Sequence, residues 1–312
     1  MKEALITGSE GFAGQHLWKE LKDHGYSVSG TTLAIPESGL SENVYQCDVL
    51  DEISLQKLLA TLKPEIIFHL AAQTNPGLSF RKPQLTVEIN TIGTINLLEA
   101  VRANPALHPR IIIIGSSSEY GPVRPGNLPI TEEHPLDPID PYATSKVASW
   151  FIARQYVRSF GLDIVYVTPF NHTGPGQALG FLAPDTASQI AAIEKQQSPG
   201  VITTGDLSSS RDYCDVRDVV RAYRLLIDKG VSGERYIVSS GHSVSSQEIV
   251  DTLIGLSSSR INKSVDPKRN RPSDIKDSFG SHQKITQATG WEPRIPLEQT
   301  LSDLLDWYRS KA

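Results

Sequence analysis

The stretch Ala4-Leu5-Ile6-Thr7-Gly8-Ser9-Glu10-Gly11-Phe12-Ala13-Gly14-Gln15-His16-Leu17 decides how the rest of the chain is read. A short apolar run passes through a glycine-punctuated turn into a helical pattern carried by Phe12, Leu17 and Leu21, which describes a strand entering a helix. The turn has almost no side chains, so backbone can lie close to a ligand there. A helix beginning near Gly11 aims its unpaired N–H groups and positive dipole end at that ligand, which suits a dinucleotide pyrophosphate. Gly8 permits the tight turn, Gly11 the close approach and Gly14 the packing of helix on strand.

The spacing Gly8-x-x-Gly11-x-x-Gly14 departs from the G-x-G-x-x-G of many dehydrogenases. With Thr7 and Phe12 it resembles the T-G-x-x-G-F-x-G of the extended short-chain dehydrogenase/reductase family. The resemblance implies that Gly8, Gly11, Phe12 and Gly14 line a nicotinamide cofactor.

The bulk properties narrow the classes. A chain of 312 residues can bury a large core. The net charge of -5 and the lack of long basic runs argue against nucleic acid or an acidic membrane as partner. No apolar run is long enough to span a bilayer, and the run at 4–6 is too short for a signal-peptide core. Cys47 and Cys214 form neither metal spacing nor a disulfide framework, so a reducing cytoplasm is the expected location.

Strands and helices alternate beyond the first unit. Tyr26-Ser27-Val28-Ser29-Gly30-Thr31-Thr32 reads as a second strand, whose end meets the adenosine ribose in a Rossmann fold. It carries neither the acid that selects NAD nor an arginine for a 2′-phosphate. Thr31 and Thr32 could bond that phosphate, a lean to NADPH over NADH against their reading as solvated turn residues. Val44-Tyr45-Gln46-Cys47-Asp48-Val49 reads as the third strand, with Asp48 and Val49 either at the adenine edge, as the resemblance implies, or with Asp48 capping a helix over 52–62. The buried strand Pro64-Glu65-Ile66-Ile67-Phe68-His69-Leu70-Ala71-Ala72 ends in small residues. By resemblance Leu70, Ala71 and Ala72 line the cofactor and Gln73 faces the substrate. A long helix is expected over 83–103, with Asn90 at the position of a structural asparagine in the family, and then a buried strand over 111–114. This alternation predicts an α/β fold, a doubly wound parallel sheet whose ligands lie beyond its carboxyl edge.

Two motifs carry the chemistry. In Pro141-Tyr142-Ala143-Thr144-Ser145-Lys146, Tyr142 and Lys146 stand four apart on one helical face. A neighbouring ammonium makes a phenol a better acid-base group. Ser116, in Gly115-Ser116-Ser117-Ser118-Glu119-Tyr120-Gly121, completes the serine, tyrosine and lysine of short-chain reductases. The resemblance implies that Ser116 holds the substrate oxygen, Tyr142 transfers its proton, and Lys146 lowers the tyrosine pKa and binds the nicotinamide ribose. Further on, Pro169-Phe170-Asn171-His172-Thr173-Gly174-Pro175-Gly176-Gln177 resembles the P-F-N-H-x-G-P-G-Q of GDP-6-deoxy-D-mannose reductases and, less closely, GDP-mannose 4,6-dehydratases. Thr168 departs from the arginine usual in the wider family.

By that resemblance Asn171, Arg211 and Arg271 contact the nucleotide-sugar pyrophosphate, with Ser117 and Ser118 beside the sugar, while Arg217 reads as an ordinary surface charge. The expected architecture is a Rossmann domain over 1–168, with some return of chain from 206–238, and a smaller C-terminal substrate-binding domain over 169–312. The expected activity is NAD(P)H-dependent reduction of the 4-keto group of GDP-4-keto-6-deoxy-D-mannose to GDP-D-rhamnose. The alternatives are a nucleotide-sugar 4,6-dehydratase and a 4-epimerase. A homodimer through the helices over 83–103 and 141–160 is also expected.

Overall fold

The computed structural model describes residues 1–35, 39–195, 200–266 and 275–312. Its centre is a seven-stranded parallel sheet built from β1 (Glu3–Thr7), β2 (Ser27–Thr32), β3 (Val44–Gln46), β4 (Ile66–His69), β5 (Arg110–Ile114), β6 (Asp163–Pro169) and the strand Arg235–Val238. The spatial order is Arg235–Val238, β6, β5, β4, β1, β2, β3. The order reverses at β1, between β4 and β2, where an open doubly wound sheet leaves a crevice at its carboxyl edge.

The two faces follow from the period-two alternation of strand side chains. Ala4 and Ile6 join Phe68, Ile112, Val165 and Val167 in a core covered by the helices Phe12–Asp23 and Val216–Lys229. Leu5 joins Ile67, Ile111, Ile113, Ile164 and Tyr166 on the opposite face, beneath the helices Glu52–Leu62, Gly93–Arg102 and Pro141–Phe160. Strands buried on both faces read as continuous apolar runs, as 111–114 does. Each buried Leu, Ile or Val contributes about 1.5–3 kcal/mol against exposure.

A third core lies among the helices Leu182–Glu194, Ser246–Gly255 and Leu297–Lys311, around Ile190, Leu253, Leu301 and Leu304. Chain from this half returns to the sheet twice. The first return supplies Val216–Lys229 and Arg235–Val238; the second brings Ile285 and Trp291 into the first core, where the Trp291 indole donates to the Asp218 carbonyl at 2.9 Å.

Local differences from the sequence reading have physical causes. The helix expected over 83–103 is interrupted: Pro83–Val87 and Gly93–Arg102 flank a π-helical turn, Glu88–Ile92. There the Asn90 carbonyl accepts from Thr94 Oγ1 and Ser149 Oγ, at 2.6 and 2.9 Å. The third strand stops at Gln46, and Asp51 rather than Asp48 caps the following helix, accepting from the Ser54 N–H at 3.0 Å. Among the described residues, no helix is long and apolar enough to cross a membrane.

Candidate active site

The turn after β1 is shaped by backbone. Gly8 has φ of 71°, and a Cβ on Gly14 would lie 2.5 Å from the Gly8 carbonyl oxygen, so helix and turn touch without side chains between them. Gly11 is the N-cap of the helix, and no side chain caps it. This fits an anionic dinucleotide better than a self-satisfied helix start. Leu70 and Ala71 lie against Gly8, with the Ala71 N–H donating to Thr7 Oγ1 at 3.2 Å, and Leu70, Ala71 and Ala72 are half-buried. The residues at the end of β2 serve the fold as well. Thr31 is buried with its hydroxyl accepting from the Gly8 N–H at 3.3 Å, and Thr32 donates to the Ala34 carbonyl. Asp48 is exposed and accepts from the Leu50 N–H at 2.9 Å, while Val49 is buried against Gly93. His69, buried between the Thr7 and Thr94 hydroxyls, has its pKa pushed down to about 3 by burial, with the Lys146 charge adding.

The catalytic candidates gather at the carboxyl edge of β5. Asp140 caps the Pro141–Phe160 helix, accepting from the Ala143 N–H at 2.7 Å, and the first turns of that helix place Tyr142 and Lys146 beside Ser116. Lys146 Nζ donates to the Ile114 carbonyl at 2.8 Å. Burial brings its pKa down to about 8, against the opposing pull of the Glu119 charge. Burial pushes the Tyr142 phenol up to about 12, and a hydrogen bond with the Ser116 side chain draws it back. In this arrangement Ser116 draws the phenol pKa down, while the Lys146 ammonium is held on the Ile114 carbonyl.

Ser117–Tyr120 is a 3₁₀ turn. Its capping box closes from Ser116 Oγ to the Ser118 N–H at 3.2 Å and from Glu119 to the Ser116 N–H at 2.8 Å. Ser116, Ser117 and Ser118 stay half-exposed, whereas Glu119 is fully buried, pairing with Arg235 at 2.8 Å. Sequence reasoning missed Arg235; its signal was a charge at the head of the apolar run Tyr236-Ile237-Val238.

Gln73 lies near this edge but is turned into its own loop. Its amide bonds Asn75 and Thr86, while Asn90 holds its backbone N–H at 2.7 Å. The loop is thereby tied to the tyrosine helix, since Asn90 Nδ2 also donates to Ser145 Oγ at 2.9 Å.

The substrate-side residues sit on shorter elements. Asn171, half-buried, starts the strand Asn171–Thr173, which pairs with Tyr213–Asp215. His172 stacks on Phe12 at 6.0 Å, and His16 bonds the Pro175 carbonyl at 2.8 Å, so the glycine turn and this loop are in contact. The Arg211 guanidinium donates to the Ser210 and Ile275 carbonyls at 2.7 and 2.8 Å. Arg217 bridges Asp215 and Asp303, both at 2.7 Å, and is a structural ion pair rather than a solvated charge. Arg271 lies outside the described residues.

A parallel doubly wound sheet, a glycine turn after its first strand and a serine, tyrosine and lysine at its carboxyl edge define an extended short-chain dehydrogenase/reductase. The family model described as GDP-mannose 4,6 dehydratase matches residues 5–304, and the chain belongs to that family. It is 34% identical to the GDP-6-deoxy-D-mannose reductase of Pseudomonas aeruginosa, over 97% of this chain and 96% of that protein. To the UDP-glucose 4-epimerase of Mycolicibacterium smegmatis it is 30% identical, over 99% of each. Among solved structures, RMD from Pseudomonas aeruginosa complexed with NADPH matches with a TM-score of 0.90 at 32% identity, covering 100% of both chains.

Proposed function

We propose that this enzyme reduces the 4-keto group of a GDP-linked 6-deoxy sugar, GDP-4-keto-6-deoxy-D-mannose, to give GDP-D-rhamnose. The observation that carries the reading is the set of groups after Ser116. A dehydratase must also remove the C5 proton and expel the C6 hydroxyl, which needs an acid-base pair beyond the tyrosine. Positions 117 and 118 are serine, and the neighbouring carboxylate, Glu119, is buried in an ion pair with Arg235. A reduction needs only one proton donor. The likeness to the Pseudomonas aeruginosa reductase over nearly the whole chain supports the same choice.

The residues suit reduction. With a pKa near 12, the Tyr142 phenol is protonated at neutral pH, the form a donor must start in. Ser116, whose side chain draws the phenol pKa down, would orient the keto oxygen toward it. As negative charge develops on the C4 oxygen, Tyr142 gives up its proton, and the Lys146 ammonium offsets the phenolate charge left behind. Bound reduced nicotinamide supplies the hydride. Gly8, Gly11 and Gly14 would hold its pyrophosphate and Lys146 its ribose. NADPH is preferred because, among the described residues, Thr31 to Ile35 at the end of β2 include no acid to repel a 2′-phosphate, and the RMD structure contains NADPH. The Thr31 and Thr32 hydroxyls, engaged with Gly8 and Ala34, add less. On the substrate side, Asn171, Arg211 and Arg271 would bind the pyrophosphate. The assay that decides this reading separates GDP-mannose from its 4-keto-6-deoxy product.

Two further parts of the reading concern its setting. Val87, Ile92 and Phe151 are exposed on the outer faces of the paired helices, and a homodimer joined there would bury them. Sedimentation at micromolar concentration should give twice the chain mass; a monomer would remove the dimer. Cys47 and Cys214, both free and buried, suit a reducing cytoplasm.

A further inference from the structure

One buried carboxylate reaches both halves of the reaction centre. Glu119 Oε1 accepts from the Ser116 N–H at 2.8 Å, and the Tyr166 hydroxyl donates to the same oxygen at 2.9 Å. That hydroxyl is also 2.8 Å from the Lys146 carbonyl, one turn along the helix from Tyr142. Glu119 Oε2 is held by Arg235 at 2.8 Å. The guanidinium carbon lies 4.4 Å from the centre of the Trp150 ring, which follows Lys146 by one turn, and 5.2 Å from that of Tyr166. The backbone makes room for this arrangement, since a Cβ on Gly115 would fall 2.4 Å from Glu119 Oε1.

We propose that Glu119 and Arg235 are positioning residues: the carboxylate fixes the Ser116 peptide at the end of β5, and Tyr166 and Trp150 carry the same constraint to the helical turn bearing Lys146. The inference rests on Ser116, Tyr142 and Lys146 being the reaction centre, as argued above. A pair that merely filled the core could be exchanged for apolar side chains at little cost, because a buried ion pair pays heavily in desolvation. This pair also supplies an acceptor to a catalytic backbone N–H and to a hydroxyl that touches the catalytic helix, which no apolar side chain can do. The carboxylate charge acts on Lys146 as well, favouring its ammonium form against burial.

The test uses the full-length enzyme with NADPH and the 4-keto sugar nucleotide, and compares Tyr166→Phe with the double substitution Glu119→Met/Arg235→Met. Positioning predicts that the double variant folds with a lowered melting temperature, its Ser116 N–H and Tyr166 hydroxyl having lost the carboxylate, and keeps KM and NADPH affinity within about twofold, while kcat falls by about a hundredfold. Tyr166→Phe, which keeps the packing, should lose about tenfold in kcat alone. A double variant with the kcat of wild type would overturn the inference, whatever its melting temperature. If that variant does not fold, an unchanged kcat in Tyr166→Phe overturns it instead. Wild-type enzyme that leaves NADPH unoxidised would break the functional reading and this inference together, whereas active wild type with equally active variants breaks only the inference.

Discussion

The proposed reacting end of the crevice and its proposed phosphate end are built differently. At the reacting end, long elements meet: β5, β6 and a twenty-residue helix carry Ser116, Tyr142 and Lys146, with the Ser116 N–H, the Lys146 ammonium and the Lys146 carbonyl each hydrogen-bonded. At the phosphate end, Arg211 sits on the two-residue strand Ser210–Arg211, between Val244–Ser245 and Asp277–Ser278. Its anchor is Asp212, a buried carboxylate that accepts from the N–H groups of Ser240, Gly241 and Gly280. Each end is thus tied by a buried carboxylate that accepts from backbone N–H groups, Glu119 at the first and Asp212 at the second, and what differs is the length of the elements being tied.

Substitutions at the two ends should separate in kinetics. Tyr142→Phe removes the proton donor and should cut kcat by about 10²- to 10⁴-fold with NADPH affinity intact, as fluorescence titration would report. Wild-type turnover in that variant would remove the distinction between the ends. Arg211→Ala should act on KM instead, with a loss of about 1.5–3 kcal/mol if a charged hydrogen bond to phosphate disappears. A fall in kcat with unchanged KM would place Arg211 with the reacting end.

The smallest effect is a pH dependence confined to the reacting end. Burial has lowered the Lys146 pKa to about 8, so its positive charge is present below that pH and is lost as pH rises through it. From pH 8 to 9, kcat should decline by about fivefold, with KM for the sugar nucleotide little changed. A kcat constant to pH 10 would show that the ammonium is not needed.

Much of the reacting end was legible because its geometry is local. Gly8, Gly11 and Gly14 declare the turn, and Tyr142 and Lys146 share a face by helical spacing alone. Glu119 was legible only as a residue, since its direction depends on a 3₁₀ turn and on Arg235, which arrives from 116 positions away. Gln73 matched its motif, yet its amide is engaged by Asn75 and Thr86, partners that a motif does not specify. The π-helical turn at Glu88–Ile92 was hidden for a similar reason, because Asn90 bonds across to Ser145 and Ser149 on another helix.

The central claim is that the reacting end carries one proton donor and no spare carboxylate. It is tested most directly by offering the purified enzyme GDP-mannose with oxidised cofactor and, separately, GDP-4-keto-6-deoxy-D-mannose with NADPH, following absorbance of the reduced cofactor and the sugar products. Oxidation of NADPH by the keto sugar, with GDP-mannose left unchanged, is the predicted result. Conversion of GDP-mannose to a 4-keto sugar would contradict it.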